Sequence, residues 1–156
     1  MMLTELILIL LIGSFSSEAV IVDCSCNDDN WRAVGSVYRC DALSLLNGND
    51  GVIEGVDGAF LAGRGNSEVT ALSYGRRTIN KSPTIPKNIH IFFPKLIALA
   101  IWSGLETISA DDFKFLPGLR HFDFPYNNLI KLDSDLFKYT PKAQSIFLHD
   151  NFIQRI

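Results

Sequence analysis

The chain has 156 residues, a formal net charge of −3 at pH 7 and a hydrophobic fraction of 47%. Its charge is close to neutral and its basic residues form no cluster, which argues against nucleic acid and an anionic membrane surface as partners. The length and apolar content suit one domain.

An unbroken apolar run at residues 6–12 opens the chain, and small residues lead from it to a small-x-small sequence at residues 17–19. These features predict a signal peptide at residues 1–19, cleaved after Ala19. The stretch before the run carries Glu5 and no basic residue, which leaves an uncleaved anchor as the alternative. The run is too short to span a bilayer. Cleavage would remove two of the 17 acidic residues and none of the 14 basic ones, which changes the formal charge from −3 to −1. We therefore expect a secreted, extracellular protein without a membrane span.

Three cysteines follow the expected cleavage site: Cys24, Cys26 and Cys40. In an oxidising compartment a disulfide is expected. Cys26–Cys40 is the predicted pair and Cys24–Cys40 the alternative, since Cys24 and Cys26 are too close to pair comfortably with each other. The third cysteine is then free or paired with another chain. A cysteine metal site lacks a second ligand pair, so no metal and no cofactor are expected.

Residues 20–66 are predicted to form a disulfide-stapled N-terminal cap. Val52, Ile53 and Val56 are typical of a short strand within it, and glycines at positions 48, 51, 55 and 58 indicate turns. A stack of repeats needs a cap over its first exposed apolar surface. Trp31 and Tyr38 are expected to pack over that end.

A repeat of twenty-four residues occupies the C-terminal part of the chain. The segment Leu119-x-x-Phe122-x-Phe124-x-x-Asn127-x-Leu129-x-x-Leu132 returns as Ala143-x-x-Ile146-x-Leu148-x-x-Asn151-x-Ile153-x-x-Ile156. Six positions match in type, and one of them is a polar Asn between apolar neighbours. The frame LxxLxLxxN is that of a leucine-rich repeat. Its short LxL portion predicts a strand with inward apolar side chains, and the amides of Asn127 and Asn151 are expected to form a ladder that satisfies the turn backbone.

The frame extends backwards with defects. Leu96-x-x-Leu99-x-Ile101 begins an earlier copy, and Val69-x-x-Leu72-x-Tyr74 matches it twenty-seven residues before. One residue is missing after Ile101, and Ser103 replaces the Asn, where its hydroxyl is expected to hydrogen-bond the turn instead. The repeat region thus spans residues 67–156 with an incomplete last repeat, and its parallel strands are predicted near residues 70–74, 98–101, 121–124 and 145–148.

The order of features resembles that of the secreted leucine-rich repeat proteins of insects, over nearly the whole mature chain. The residues that carry the resemblance are Cys24-x-Cys26, Trp31, Gly35-x-x-Tyr38-x-Cys40, Val56-x-Gly58, Val69-x-x-Leu72, Phe92-Phe93-Pro94-x-Leu96, Ser103-Gly104-Leu105-x-x-Ile108 and the two Asn repeats. The resemblance implies an α/β-type solenoid, a leucine-rich repeat horseshoe segment with parallel concave strands, a mostly irregular convex side and a short β-rich N-terminal cap. It also implies a protein-binding role. The sequence departs from the pattern at Ile156, within a repeat, which predicts either a fragment or an open end that another molecule covers.

The predicted binding surface consists of outward positions beside the strands on the concave face. Tryptophan and tyrosine are favoured contact residues because they bury much area at little entropic cost. The candidates are Trp102, His121, Asp123, Tyr126, Phe147, His149 and Asp150. A metal site built from the histidines and aspartates among them is the alternative, but scattered polar residues on a solvated face are commoner.

No zincin motif, Gly-x-Ser-x-Gly elbow or P-loop occurs, so no enzyme is predicted. The sequence favours a non-catalytic module that binds an extracellular protein, rather than a glycan, on its concave face. A structural, self-assembling matrix solenoid that associates through its open C-terminal end is the alternative, as is a fragment of a larger receptor ectodomain. Asn80 begins an N-glycosylation sequon in the loop between the first two repeat strands.

Overall fold

The computed structural model describes residues 20–31, 33–46, 51–75 and 82–155. The predicted signal peptide at residues 1–19 and the sequon residue Asn80 lie outside the described residues. Seven strands form one mostly parallel sheet with few helical residues, an α/β-like arrangement. The strands are β1 Val20–Trp31, β2 Gly35–Leu46, β3 Ile53–Ala59, β4 Ala71–Tyr74, β5 Ala98–Ile101, β6 His121–Asp123 and β7 Ser145–Phe147.

Helical structure in the described residues is confined to short segments. These are the α-helix α1 Ile89–Phe92 and the 3₁₀ helices Asn66–Glu68 and Ala110–Phe113. None of the described helices has the length and apolar character needed to cross a bilayer.

The strands lie in the order β3-β1-β2-β4-β5-β6-β7. β1 and β2 form an antiparallel hairpin, and β2, β4, β5, β6 and β7 are parallel to one another. The N-terminal segment, predicted to contain one short strand, therefore contributes three strands to the same sheet as the repeats. The expectation that glycines 55 and 58 mark turns is wrong, because both lie inside β3. A side chain on Gly58 would collide with the Cys24 backbone, so glycine allows β3 to approach β1 closely.

The register aligns the apolar positions of successive repeats in one row. Cys40, Leu72, Leu99, Phe122 and Ile146 lie side by side across five parallel strands. The first four are buried, whereas Ile146 is 41% exposed because β7 is the edge strand. A shared spacing in sequence thus becomes a continuous apolar face, since alternate residues of a strand point to the same side.

The core lies between this apolar face and the segments that connect the strands. Phe113, from the 3₁₀ helix between β5 and β6, packs edge-on against Phe122 at a ring-centroid distance of 5.2 Å. Leu105 from the same connecting segment, and Phe93 and Leu129 from the segments before and after it, are also fully buried. A single strand would leave its apolar side chains in water, so the pairing of the strands and the cover of the connecting segments remove this surface from water.

The side-chain amides of Asn127 and Asn151 each form hydrogen bonds to the turn of the preceding repeat. The Asn127 Oδ1 accepts hydrogen bonds from the backbone N–H groups of Gly104 at 2.9 Å and Leu105 at 3.0 Å, and its Nδ2 donates to the Ile101 carbonyl at 2.8 Å. The Asn151 Oδ1 accepts from the Leu129 N–H at 3.1 Å. These amides satisfy backbone groups that would otherwise be buried without partners.

The bond expected from Ser103 is not found. Its Oγ is buried and has no hydrogen-bond partner among the described residues. The backbone N–H groups of Gly104 and Leu105, in the shortened turn that Ser103 was expected to stabilise, bond to Asn127 of the next repeat instead. The longer amide side chain reaches across to the neighbouring repeat, which a serine hydroxyl does not do here.

Candidate functional site

The side of the sheet opposite the core, which we call the cleft face, carries two further rows of aligned side chains. One row runs through Arg39, Ala71, Ala98, His121 and Ser145. The next row runs through Asp41, Ser73, Ala100, Asp123 and Phe147. The middle of both rows is made of small residues, and Ala71, Ala98 and Ala100 are fully buried. Ala71 and Ala98 form a second, small apolar cluster with Val37, and Trp31 packs against it.

A cavity of about 790 Å³ opens on the cleft face. Its volume lies within the range typical of ligand-binding clefts. The aromatic side chains that line it are Trp31, Trp102, Tyr126 and Phe147. The ionisable side chains that line it are Asp29, Arg39, His121 and Asp123.

The structure brings together most of the residues that the repeat frame nominated. The five that line the cavity are Trp102, His121, Asp123, Tyr126 and Phe147. His149 and Asp150 are exposed and do not line the cavity, although the His149 ring lies 5.5 Å from the Tyr126 ring. His121 was expected to be an outward contact residue, but it is buried, with only 6% of its surface exposed.

Trp31 is placed differently from the prediction. It does not pack over the apolar end of the stack but lies on the cleft face, with its ring 5.5 Å from the His121 ring in an edge-to-face contact. Tyr38, by contrast, is buried in the main core. The alternation in β1 explains the difference, because Cys24 and Cys26 point to the core and the odd-numbered Trp31 then points away from it. This alternation was the signal in the sequence that could have placed Trp31.

Arg39 anchors the N-terminal side of the cavity and was not nominated from the sequence. It forms ion pairs with Asp29 at 2.9 Å and with Asp41, and its guanidinium carbon lies 5.5 Å from the centre of the Trp31 ring. The hydrogen bond from Arg39 holds the pKa of Asp29 below its usual value. A guanidinium against an indole face is a favourable cation–π contact. Arg39 therefore orients the Trp31 side chain, which lines the cavity.

His121 joins three strands of the cleft face. Its Nδ1 lies 2.6 Å from the Ser145 Oγ of β7, and its ring contacts Trp31 of β1 and, at 5.4 Å, Phe147 of β7. Burial lowers the pKa of His121, and the nearby Asp123 carboxylate opposes this shift. The neutral imidazole is therefore the form that this packing favours.

Tyr126 enters the cavity from a strained backbone position. Its φ is 55°, and Asp150, twenty-four residues later, has the same φ of 55°. Both residues directly precede a ladder asparagine, Asn127 or Asn151. A bulky residue in the left-handed region is uncommon and persists only where its surroundings hold it there. The hydrogen bonds of the ladder thus also set the direction of the Tyr126 side chain.

The disulfide Cys26–Cys40 is present as predicted. Cys24 is a free, buried thiol beside it, and the three Sγ atoms lie within 4.8 Å of one another. Within the described part of the chain this is the one group of three or more side chains of metal-ligand type that lie together.

Lowering the pH is expected to destabilise the fold through His121. Its pKa in the folded chain lies below the usual 6.5, so the unfolded chain binds a proton more readily. The contribution to stability is full above about pH 7 and is lost as the pH falls through 6.5 towards the lower folded value. Urea unfolding between about pH 7.5 and pH 5 should show this loss in the wild-type chain and a smaller one in His121→Gln. The prediction fails if both chains have the same pH dependence.

The paired carboxylate Asp29 does not interfere with this measurement. Its pKa lies below the usual 3.8, so its stabilising contribution is full above that value and is lost only at lower pH.

Comparisons of the chain with protein-family models, curated proteins and solved structures give no match. The cleft is therefore interpreted from its own geometry. It offers aromatic walls and the Arg39 guanidinium, which is paired with Asp29 and Asp41, an arrangement suited to holding an inserted side chain.

Proposed function

We propose that the chain is a secreted leucine-rich repeat module that binds an extracellular protein through the cleft face. The observation that carries the proposal is the cavity on the cleft face, which is lined by four aromatic side chains. Apolar cavities with a few convergent polar groups are the usual places where ligands bind. Binding rather than catalysis is favoured because the His121–Ser145 pair is packed between Trp31 and Phe147 and joins β6 to β7.

The repeat architecture is supported by two features of the C-terminal strands. β5, β6 and β7 pair in parallel at a constant register, and the amides of Asn127 and Asn151 link consecutive turns. Parallel strands separated by returning segments of similar length are what a stacked solenoid requires. A disulfide in the N-terminal hairpin favours an oxidising, extracellular location.

A protein partner fits the exposure of the cavity walls. Tyr126 is 67% exposed and Phe147 is 44% exposed, while Trp102 is half-buried. Large apolar groups of this kind stand out on a protein surface and mark interaction sites. An extended peptide segment that inserts one apolar side chain between these rings would bury them together.

Selection of a random peptide library displayed on phage tests this proposal. Peptides enriched on the wild-type protein are expected to bind Trp102→Ala at least about thirtyfold more weakly, which corresponds to about 2 kcal/mol for an aromatic anchor. Phe115→Ala is the matched control, because Phe115 is also an exposed aromatic residue, at 60% exposure, but does not line the cavity. Both variants should unfold at the same denaturant concentration as the wild type to within about 0.5 M urea.

Two results would contradict the proposal. In the first, the selected peptides bind Trp102→Ala as tightly as they bind the wild type. In the second, the free protein is a dimer that Phe147→Ala dissociates, which would favour the self-assembling solenoid because another copy then occupies the cleft.

A further inference from the structure

The free thiol of Cys24 lies beside the disulfide on the core side of β1. The Sγ atoms of Cys24, Cys26 and Cys40 are all within 4.8 Å of one another, and Cys24 is 1% exposed. Residues two apart on a strand point to the same face, so Cys24 and Cys26 approach β2 from the same side. A free thiol and the disulfide that it can attack thus lie in one buried cluster.

The register of the hairpin shows how the two cysteines of β1 are related to Cys40. Cys26 lies opposite Cys40, and Cys24 lies opposite Ala42. The pairing between β1 and β2 is irregular between Asp23 and Cys24, directly beside the free thiol. A slide of β1 by two residues would bring Cys24 opposite Cys40. Such a slide keeps every side chain on its own face of the sheet, whereas a slide by one residue would reverse them.

A slide is needed because the present register keeps Cys24 too far from Cys40 for a bond. Diagonal positions on paired antiparallel strands have Cα atoms about 7–8 Å apart, beyond the usual disulfide range. Cys24 and Cys26 do not suit each other either, because Cα atoms two residues apart on an extended strand are about 6.6–6.8 Å apart and their side chains run side by side. Cys40 is thus the sulfur that both β1 cysteines can share.

We propose that Cys24 exchanges with the Cys26–Cys40 disulfide, so that the folded chain holds two disulfide isomers related by a two-residue slide of β1. The Cys24 thiolate attacks the Sγ of Cys40, and a Cys24–Cys40 bond forms as the Cys26–Cys40 bond breaks. Cys26 leaves as a thiolate and takes up the proton that Cys24 gave to solvent. The exchange consumes no oxidant or reductant, because one thiol and one disulfide are present before and after it.

The rate of the exchange is set by how rarely Cys24 is ionised. Burial, with Asp23 and Asp41 nearby, raises the pKa of Cys24 to about 12. Because the thiolate is the attacking species, the exchange is slow at neutral pH and accelerates about tenfold for each pH unit below that pKa. The Cys26–Cys40 isomer is the favoured one, because it keeps the ion pair between Arg39 and Asp29 and the contact between Trp31 and His121.

The slide also moves a wall of the cavity. Trp31 lies opposite Gly35, the first residue of β2, so the slide would carry it past the end of β2 into the turn between the strands, away from His121. This consequence for ligand binding rests on the proposed function, whereas the exchange itself does not.

The test follows the free thiol in the oxidised wild-type protein. The protein is incubated at several values between about pH 7 and pH 9, acidified, unfolded and labelled with N-ethylmaleimide, and fragment-ion mass spectrometry locates the label on Cys24 or Cys26. The expected result is a label that starts on Cys24 and spreads to Cys26. The spreading should be first order, independent of protein concentration and about tenfold faster per pH unit. A label that stays on Cys24 at every pH overturns the proposal, as does a rate that rises with protein concentration, because the exchange would then be intermolecular.

Two serine variants provide an independent measurement. Cys26→Ser is expected to form the Cys24–Cys40 disulfide and to leave no thiol for the label, whereas two labelled thiols in a folded Cys26→Ser protein would overturn the proposal. Cys24→Ser is the control, since it keeps Cys26–Cys40 and should never take up label. If Cys26→Ser does not fold, the label in the wild-type protein decides the question. No ligand enters either assay, so a failure of peptide binding leaves this result unaffected.

Discussion

Asn127→Ala is expected to lower the free energy of unfolding by about 4 kcal/mol. The Asn127 side chain is 1% exposed, and its amide bonds two backbone N–H groups and the Ile101 carbonyl. An alanine leaves the buried N–H of Leu105 and the partly buried N–H of Gly104 without their acceptor. Each buried group left without a partner costs about 1–3 kcal/mol, which exceeds the net value of a hydrogen bond that water can replace. Urea unfolding measures the change directly.

Asn151→Ala is the matched control for this prediction. Asn151 holds the same position in the next repeat and makes similar bonds to Leu129, Phe124 and Leu148. It is only partly buried, because it lies beside the edge strand, so water can take over the bonds that it loses. The expected loss is about 1.5 kcal/mol. If both variants lowered the free energy of unfolding equally, the deeper burial of Asn127 would not be the reason for its stabilising effect.

The strands β5, β6 and β7 could be predicted because their parallel pairing in a constant register imposes a period on the sequence. Phe122 and Ile146 must lie side by side to build one apolar row, and the same register then places Asn127 and Asn151 at equivalent turns. A period of this kind is visible in the sequence without knowledge of long-range contacts. For the same reason Trp102 and Phe147 could be assigned to the face away from the core.

The N-terminal part of the sheet could not be predicted in the same way, because no period runs through it. Gly58 occurs in a glycine-rich stretch that suggests turns, yet it lies within β3 against the Cys24 backbone. The need for glycine at this position arises from the close approach of β1, and that approach is set by the tertiary structure. Trp31 and Arg39 enter the cavity for a similar reason, since the hairpin folds against strands that are distant in the sequence.

The cavity therefore has two sides of different origin. The repeats supply Trp102, Tyr126 and Phe147 at positions that follow from their frame, while the hairpin supplies Trp31 and the ion pair that orients it. His121 is the contact between the two sides, because its ring touches both Trp31 and Phe147. A change in either side should thus reach the other through this buried imidazole.

Phe122→Ala is expected to lower the free energy of unfolding by about 4 kcal/mol. Phe122 lies at 0% exposure in β6 and packs edge-on against Phe113 at 5.2 Å and Phe137 at 5.1 Å. Its removal loses the transfer free energy of a full aromatic ring and the aromatic contacts that the ring makes from the middle of the stack. It also leaves a cavity, because strands on both sides hold the backbone of β6 in place and limit its collapse.

Phe147→Ala separates this effect from the general loss of an aromatic ring. Phe147 lies in the adjacent strand β7 but is 44% exposed on the cleft face, so its removal should cost less than about 1 kcal/mol. Urea unfolding of the two variants provides the comparison, and hydrogen exchange locates the damage. Phe122→Ala should increase amide exchange in β6 and in β7, because His121 and Asp123 flank the lost ring and pair with β7. If Phe122→Ala were no more destabilising than Phe147→Ala, the apolar row through the repeats would not be the structure that holds the sheet together.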